Sequence, residues 1–208
     1  MHPEARHFTI FVKNILPSFF ENKKVLDVGS GDINGNNRFL FTNCIYEGND
    51  VIDAENVTIV SRTKDIPIED NIFDTIISTE CFEHDPDFNC SIKKIYKLLK
   101  PGGLFLFSCA GYGRPEHGTR KKGAQYSYGT IAEIEDMQDY YCNITENILN
   151  NAIDIKASFV MWDLYYNNIS KDLYFLGIKR DNINNSHTIT NLPKYIQENV
   201  ICTSSIIL

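Results

Sequence analysis

Acidic and imidazole side chains cluster in the segment that follows a predicted β-strand. Glu80, Glu83 and His84 have the spacing E-x-x-E-H, which places all three side chains on one face if the segment forms a helical turn. His117, further along the chain, can complete the set. Two carboxylates and two imidazoles suit a divalent cation such as Mg²⁺ or Mn²⁺, and a vicinal diol that chelates this cation loses a proton more easily. The spacing therefore predicts a metal site formed by Glu80, Glu83, His84 and His117.

The same residues allow a reaction without a metal. His117 can act as a general base on its own, because the ordinary pKa of histidine lies near neutral pH. It can equally be an ordinary loop histidine. Glu80, His84 and His117 are accordingly the candidate catalytic residues, with these interpretations left open.

A glycine turn upstream predicts a site for a nucleotide-like ligand. The apolar run before Asp27 ends in Gly29-Ser30-Gly31, as a buried parallel strand does where it turns against such a ligand. The third glycine of G-x-G-x-x-G would fall at Asn34, so the dinucleotide fingerprint is not met. Asp50 follows Asp27 by 23 residues, near the spacing of about 20 at which an acid reaches ribose hydroxyls. Asp50 can otherwise be a solvated acid at the end of a strand.

Composition and charge restrict the possible classes. The 208 residues carry a net charge of -7 and are 43% hydrophobic, as expected of one soluble domain. The negative charge argues against extended nucleic-acid binding. We find neither an apolar run of membrane-spanning length nor a secretory signal, and we therefore expect a cytoplasmic protein. The six cysteines form no C-x-x-C pair, which predicts buried free thiols.

Apolar periodicity predicts a parallel sheet covered on both faces. Short apolar runs alternate with helical patterns, which is typical of α/β proteins. The predicted strands span residues 24–28, 44–47, 57–60, 72–78, 104–109, 155–162 and 173–179. The predicted helices span residues 4–16, 37–42, 87–99, 130–141 and 145–152.

Four motifs in order resemble the class I S-adenosylmethionine-dependent methyltransferases. They are Leu26-Asp27-Val28-Gly29-Ser30-Gly31, Tyr46-Glu47-Gly48-Asn49-Asp50, Asp65-Ile66-Pro67-Ile68-Glu69-Asp70-Asn71-Ile72-Phe73-Asp74 and Leu98-Leu99-Lys100-Pro101-Gly102-Gly103. The resemblance covers residues 25–179. It implies a Rossmann-like α/β fold, with a seven-stranded, mostly parallel sheet, helices on both faces and an antiparallel closing strand. We expect a methyltransferase domain with an N-terminal helix over residues 1–180, and a C-terminal tail, packed or flexible, over residues 181–208.

The resemblance also implies a site for S-adenosylmethionine. Asp27 would lie behind the glycine loop and orient the amino-acid end of the cofactor, while Thr63 and Lys64 would lie beside the adenine. The family often has an acid where this chain has Arg62, so backbone groups of residues 63–65 would serve the adenine instead. The cofactor-binding residues implied in this way are Asp27, Gly29, Ser30, Gly31, Asp50, Val51, Thr63, Lys64 and Thr79.

The acidic and imidazole set resembles the metal site of the RNA 3′-terminal 2′-O-methyltransferases and of some quinone-ring O-methyltransferases. Many members of the superfamily have a similar Glu-His pair with a structural role. The first resemblance implies O-methylation, with a sugar, a nucleotide sugar, a glycan or another small polyol as the acceptor. A basic cluster can hold the phosphates of a nucleotide-linked sugar, and nearby tyrosines can stack on a ring. These are Arg114, Arg120, Lys121 and Lys122, with Tyr126, Tyr128, Tyr140 and Tyr141.

Three other functions are alternatives. The first is N- or carboxyl-methylation of another small molecule. The second is a partner subunit that binds the cofactor without catalysis. The third, a nicotinamide-dependent oxidoreductase, is disfavoured by the missing third glycine and by the motif around Pro101.

Overall fold

Seven strands form one mixed sheet at the centre of the protein, in the order β3-β2-β1-β4-β5-β7-β6. A computed structural model describes residues 2–181. The strands are β1 (Lys24–Val28), β2 (Ile45–Asp50), β3 (Ile59–Val60), β4 (Phe73–Thr79), β5 (Leu99–Ala110), β6 (Phe159–Tyr166) and β7 (Asp172–Lys179). Strands β1 to β5 pair in parallel, whereas β7 runs antiparallel to β5 and β6. The predicted mostly parallel sheet with an antiparallel closing strand is confirmed.

Helices cover both faces of the sheet. Helix α1 (Pro3–Ile15) packs Phe8 in one apolar cluster with Val25 of β1. Helix α2 (Phe88–Leu98) packs Ile92 in a second cluster with Leu26, the next residue of β1. Because successive side chains of a strand point to opposite faces, the two clusters lie on opposite sides of the sheet. The remaining helices are short: α3 (Tyr128–Ile131), α4 (Glu146–Ala152) and α5 (Ile155–Ser158).

The helix predicted over residues 37–42 is wrong. Only a single 3₁₀ turn forms there, at Arg38–Leu40. The amide of Asn37 donates to the carboxylate of Asp27, and the amide of Asn36 donates to Asp32 at 2.7 Å. Side-chain hydrogen bonds of this kind compete with helix formation, and they hold the segment as a loop.

The helix predicted over residues 130–141 is also wrong beyond its start. Helix α3 ends at Ile131, and Glu133 has a φ of +54°. This left-handed conformation interrupts a right-handed helix. The hydroxyl of Thr130 donates to the carbonyls of Gly118 and Gln138, which holds the following residues as a folded loop.

Two further boundaries differ from the predictions. Residues 155–158 form helix α5 instead of the start of a strand, because the side chain of Asp154 caps it by accepting from the amide of Ala157 at 3.0 Å. Strand β5 begins at Leu99, so Gly102 and Gly103 lie within the strand and do not end helix α2. The other predicted strands agree with the structure to within a few residues.

Three further expectations from the sequence concern the cysteines, membrane spans and the C-terminal tail. The five described cysteines are free thiols, but the expectation that they are buried is right only for Cys109, and Cys90 is exposed. Across residues 2–181, no helix combines the length and the apolar character that crossing a membrane requires. Residues 182–208 of the expected C-terminal tail lie outside the described residues.

Lys179, at the end of β7, fastens the closing strand to helix α2. Its ammonium donates to the carbonyl of Leu99 at 2.6 Å, to the carbonyl of Tyr96 at 2.7 Å and to Asn71 Oδ1 at 3.0 Å. Only 8% of the residue is exposed. The carbonyls at the end of α2 therefore depend on this side chain as a donor.

We predict that Lys179→Met lowers the free energy of unfolding by about 1–3 kcal/mol, because it leaves buried carbonyls without a donor. Urea denaturation measures this loss. The matched control is Lys93→Met on the exposed side of α2, which should change the stability by less than about 0.5 kcal/mol. Equal effects of the two substitutions would contradict the assigned role.

Candidate active site

The carboxyl ends of the parallel strands surround a cavity of about 420 Å³. Parallel pairing places Val28 of β1 beside Asn49 of β2 and Ser78 of β4. The loops that follow these strands therefore meet at one edge of the sheet, where ligands bind in folds of this kind. The loop after β5 forms the facing wall, through residues 114–117 and 126–129.

Asp27 is a buried carboxylate at the base of this cavity, with 1% of the residue exposed. It accepts hydrogen bonds from Asn37 Nδ2 at 3.1 and 3.2 Å, and from the hydroxyl of Tyr46. Burial raises the pKa of Asp27 to about 7, although these donors oppose the rise. Neither Asn37 nor Tyr46 was predicted as a partner of Asp27.

The glycine loop packs against protein side chains as well as lining the cavity. Gly29 has a φ of +71°, and a Cβ there would lie 2.5 Å from Cys81 Sγ. A Cβ on Gly31 would overlap the ring of Tyr128 and lie 2.9 Å from Asp50 Oδ2. Both positions therefore require glycine. The overlap at Gly31 shows that Tyr128, on the facing wall, reaches the glycine loop.

Asp50 ends β2 beside the glycine loop. Its Oδ2 accepts the amide of Gly31 at 3.0 Å, and its Oδ1 accepts the amide of Val51 at 2.8 Å. Burial raises the pKa of Asp50 above its ordinary value. Asp50 and Val51 line the cavity, as do Ser30, Thr63 and Thr79. Each carboxylate oxygen has a second lone pair and can accept a further hydrogen bond from a ligand.

Lys64 differs from its expected place beside the adenine. Its ammonium lies 2.8 Å from Asp87 Oδ2, and the residue is not part of the cavity wall. Arg62, which stands where the family often has an acid, lines the cavity. Its guanidinium donates to Asp87 at 2.9 Å and to both carboxylate oxygens of Asp136, at 2.5 and 2.7 Å.

Three of the four predicted metal ligands lie together. One ligand atom each from Glu83, His84 and His117 lies within 4.8 Å of the others. The separation of His117 Nε2 from Glu83 Oε1 is 3.7 Å, which exceeds a hydrogen bond. Both carboxylate oxygens of Glu83 and Nδ1 of His84 are buried without a hydrogen-bond partner among the described residues. The ring of Tyr141 packs on both histidines, with centroids 5.8 Å from His84 and 5.0 Å from His117.

Burial and charge shift the pKa values of this cluster in different directions. Burial raises the pKa of Glu83, and the neighbouring Glu80 charge adds to the rise. Burial lowers the pKa of His84 to about 4, so this imidazole is neutral at physiological pH. Burial also acts to lower the pKa of His117, but the Glu83 carboxylate and the Pro115 carbonyl outweigh it and raise the pKa. Both shifts favour a state in which Glu83 and His117 together hold a proton.

Glu80 does not join this cluster, so the predicted set of four ligands is wrong at this residue. Glu80 has a φ of +55°, and only Phe82–His84 forms a 3₁₀ turn, so no continuous helical face carries the E-x-x-E-H spacing. The Glu80 carboxylate accepts the Ser108 hydroxyl at 2.8 Å and lies 3.0 Å from Nε2 of His2.

His2 connects Glu80 to a second buried carboxylate, Asp172, which lies 3.1 Å from the same Nε2. Asp172 also pairs with the guanidinium of Arg114. Burial acts to lower the pKa of His2, but these carboxylates raise it to about 10. His2 lines the cavity, so helix α1 contributes to the site through a residue that no sequence motif marks.

The basic cluster does not form a phosphate site. Arg114 lines the cavity, but its guanidinium is held by Asp172 and by the carbonyl of Ser170 at 2.8 Å. Arg120 pairs with Asp139 outside the cavity wall, and Lys121 and Lys122 are exposed there as well. Of the four tyrosines predicted to stack on an acceptor, Tyr126 and Tyr128 line the cavity, whereas Tyr140 and Tyr141 do not.

The chain is similar to methyltransferases over part of its length. Residues 26–107 match the family described as methyltransferase domain. The matched stretch contains all four motifs that resemble the S-adenosylmethionine-dependent class I methyltransferases. The fold is shared with the 1,6-didemethyltoxoflavin-N1-methyltransferase of Burkholderia thailandensis, solved with S-adenosylhomocysteine bound. The TM-score is 0.58 at 16% identity, over 86% of this chain and 79% of that one.

Two curated proteins are similar in sequence over part of the chain. Phosphoethanolamine N-methyltransferase 2 of Caenorhabditis elegans is 38% identical over 87 residues, which cover 38% of this chain and 20% of that protein. The ubiquinone/menaquinone biosynthesis C-methyltransferase of Rickettsia prowazekii is 30% identical over 136 residues, 54% of each chain. The chain thus spans about half or less of the length of these relatives.

We predict that the neutral, buried His84 makes stability depend on pH. Its folded pKa of about 4 lies below the ordinary histidine value of 6.5, so its contribution to stability is present above pH 6.5 and is lost as the pH falls toward 4. Between pH 7 and pH 4, the unfolding free energy of the unmodified protein should fall by about 2–3 kcal/mol more than that of His84→Gln.

Urea denaturation across this pH range, in buffer that contains a chelator, measures the difference. His7→Gln, on the exposed side of α1, is the matched control and should keep the pH dependence of the unmodified protein. Parallel pH profiles for the unmodified protein and His84→Gln would show that His84 is not held neutral.

Proposed function

We propose that this protein transfers a methyl group from S-adenosylmethionine to a hydroxyl group of a sugar or another small polyol. The observation that carries the proposal is the buried Glu83 carboxylate, which has no hydrogen-bond partner within residues 2–181 and lies beside His84 and His117. The two histidines line the same cavity as the glycine loop. His117, which can take up a proton or hold a cation together with Glu83 and His84, thus lies within reach of an acceptor in the cavity, as activation of a hydroxyl requires.

The cofactor half of the cavity offers what S-adenosylmethionine requires. Asp50 can accept both ribose hydroxyls, since its carboxylate lies at the cavity surface beside Gly31. Asp27 and the glycine loop would orient the amino-acid end. The cofactor supplies an activated methyl group, so the protein's task is to align the acceptor and to remove its proton.

A divalent cation fits the residues on the acceptor side. Glu83, His84 and His117 supply one carboxylate and two imidazoles at mutual distances within 4.8 Å. An unpaired buried carboxylate is unfavourable, and a cation such as Mg²⁺ or Mn²⁺ held by these three side chains would satisfy it. Such a cation lowers the pKa of a bound hydroxyl.

Proton transfer to His117 would serve the same reaction without a metal. The imidazole holds its Nδ1 3.1 Å from the carbonyl of Pro115 and its Nε2 toward Glu83. Glu83 would stabilise the imidazolium that forms when His117 takes the proton. This arrangement resembles other carboxylate-supported histidine bases in its roles.

The charges of the cavity wall favour an acceptor without phosphate groups. Arg114 is engaged by Asp172, and the other three residues of the basic cluster lie outside the cavity wall, so this cluster leaves no free cation in the described cavity for the phosphates of a nucleotide sugar. Glu116 adds a negative charge to the acceptor side, whereas His2 balances the charge of Glu80. A neutral sugar or polyol therefore suits this cavity better than a phosphorylated one.

N-methylation of a small amine is the second candidate. It is favoured by the partial similarity to phosphoethanolamine N-methyltransferase 2 and by the acidic residues on the acceptor side. An amine acceptor needs a base to remove its proton, but a divalent cation that binds oxygen ligands would assist its reaction little. Dependence on a divalent cation therefore distinguishes the two candidates.

We predict that Asp50→Asn weakens binding of S-adenosylmethionine by about tenfold or more, because a charged acceptor of two hydroxyl protons is lost. Isothermal titration calorimetry measures this affinity. Asp53→Asn, an exposed acid three residues later, is the matched control and should bind as the unmodified protein does. Binding of NAD in place of S-adenosylmethionine by the unmodified protein would refute the proposed function.

We predict that Glu83→Gln weakens binding of Mn²⁺ by about tenfold or more, because it removes the one carboxylate ligand of the set. Electron paramagnetic resonance of free Mn²⁺ measures this directly. Glu116→Gln is the control, because Glu116 lines the cavity and its Oε1 already accepts the Thr119 hydroxyl at 2.7 Å.

Failure of the unmodified protein to bind Mn²⁺ would exclude the metal-assisted form. Methyl transfer to a diol that continues in excess chelator, and is lost in His117→Gln, would then assign the proton transfer to His117.

A further inference from the structure

The loop between β5 and helix α4 forms a cover over the cavity. We call residues 111–143 the covering segment. Its ends are fixed to the body of the protein: the amide of Gly111 donates to Lys171 O, and the amide of Cys142 donates to Glu83 O, both at 2.8 Å. Between these ends, the segment contributes Arg114–His117, Tyr126–Gly129 and Met137 to the cavity wall.

The middle of the covering segment closes against the cofactor side. The ring of Tyr128 lies against Gly31, so close that a Cβ on this glycine would overlap it. Met137 lies beneath Gly129 and lines the same part of the cavity. Tyr128 therefore borders the part of the cavity beside the glycine loop. Segments that cover an active site in this way commonly control ligand exchange.

An ion pair joins this middle part to the body near the expected adenine position. Arg62 donates from Nη1 and Nη2 to the two carboxylate oxygens of Asp136, at 2.7 and 2.5 Å. The same guanidinium holds Asp87, which precedes helix α2, at 2.9 Å. A bidentate arginine pair of this kind is directional as well as attractive.

We propose that Asp136 is a positioning residue for the cofactor: its ion pair with Arg62 holds the covering segment, and with it Tyr128, closed over the glycine loop and thereby slows cofactor release. The inference rests on the proposed function, because it assumes that S-adenosylmethionine occupies this half of the cavity. Asp136 itself does not line the cavity, so its effect on the cofactor acts through the segment that it holds.

The ion pair is partly exposed, and this sets the size of the effect. The side chains of Arg62 and Asp136 are 28% and 54% exposed, so salt screens their attraction. Exposed pairs contribute modestly, which corresponds to a change of about threefold to fivefold in a rate that depends on breaking the pair. Salt should therefore raise the release rate of the unmodified protein toward that of a variant without the pair.

The chain provides a matched control within the same segment. Asp139 pairs with Arg120, and both residues belong to the covering segment, so their ion pair does not join the segment to the body. Neither of them lines the cavity. Asp139→Asn therefore removes a comparable exposed ion pair without releasing the cover.

The test is the dissociation rate of S-adenosylhomocysteine, measured by stopped-flow displacement for the unmodified protein, Asp136→Asn, Asp136→Glu and Asp139→Asn. At low salt, we expect Asp136→Asn to release the ligand about threefold to fivefold faster, whereas Asp139→Asn does not. Asp136→Glu, which keeps the charge, should restore slow release at least in part. In about 0.5 M salt, where screening is strong, the unmodified protein and Asp136→Asn should converge.

Steady-state kinetics add a readout that a purely structural role would not produce. Asp136→Asn should raise KM for S-adenosylmethionine without lowering kcat, because the groups that act on the acceptor are unchanged. Equal release rates for the unmodified protein and Asp136→Asn, or release from the unmodified protein that does not respond to salt, would overturn the inference and leave the proposed function standing. Failure of the unmodified protein to bind S-adenosylhomocysteine at all would overturn both.

Discussion

A buried carboxylate at the end of β1 ties together the segments that form the cofactor half of the cavity. Asp27 accepts from Tyr46 of β2 and from Asn37 of the loop after β1, and Asn37 Nδ2 also donates to Thr79 Oγ1 at the end of β4. Burial disfavours the ionised carboxylate, so each donor offsets part of that cost. These hydrogen bonds link the ends of β1, β2 and β4, so the floor of the cavity is a single hydrogen-bonded unit.

Most of the cofactor half could be predicted from the sequence because its determinants are local. The glycine loop follows β1 directly, and the parallel pairing of Val28 with Asn49 fixes the distance from that loop to Asp50. Continuous apolar runs marked β1 and β4 to within a residue, since strands buried on both faces have no polar alternation. Gly31 illustrates the limit of this approach. Its motif indicated close approach of a ligand, whereas the structure shows that it also accommodates the ring of Tyr128.

The acceptor half could not be predicted in the same way, because it depends on backbone conformations and contacts between distant parts of the chain. The E-x-x-E-H spacing assumed a helical turn, but the left-handed conformation of Glu80 separates it from Glu83. Besides Ser108, Glu80 contacts His2 and, through it, Asp172, which lie near opposite ends of the described chain. Likewise, a long helix was predicted over residues 130–141, but helix α3 ends at Ile131 and Glu133 has a left-handed conformation. The residues that follow therefore form part of the covering segment.

The separation of Glu80 from Glu83 assigns the two carboxylates different chemistry. Burial acts to raise the pKa of both, but His2 and Ser108 outweigh it at Glu80, so that its pKa is lowered. The Glu83 carboxylate lies 3.7 Å from His117, too far for a hydrogen bond, and burial raises its pKa. Glu80 is therefore a paired anion that fastens helix α1 to the cavity wall, whereas Glu83 retains the capacity to take up a proton or a cation. Activation of an acceptor thus belongs on the side of Glu83, His84 and His117, and Glu80 sets the charge and shape of the wall beside it.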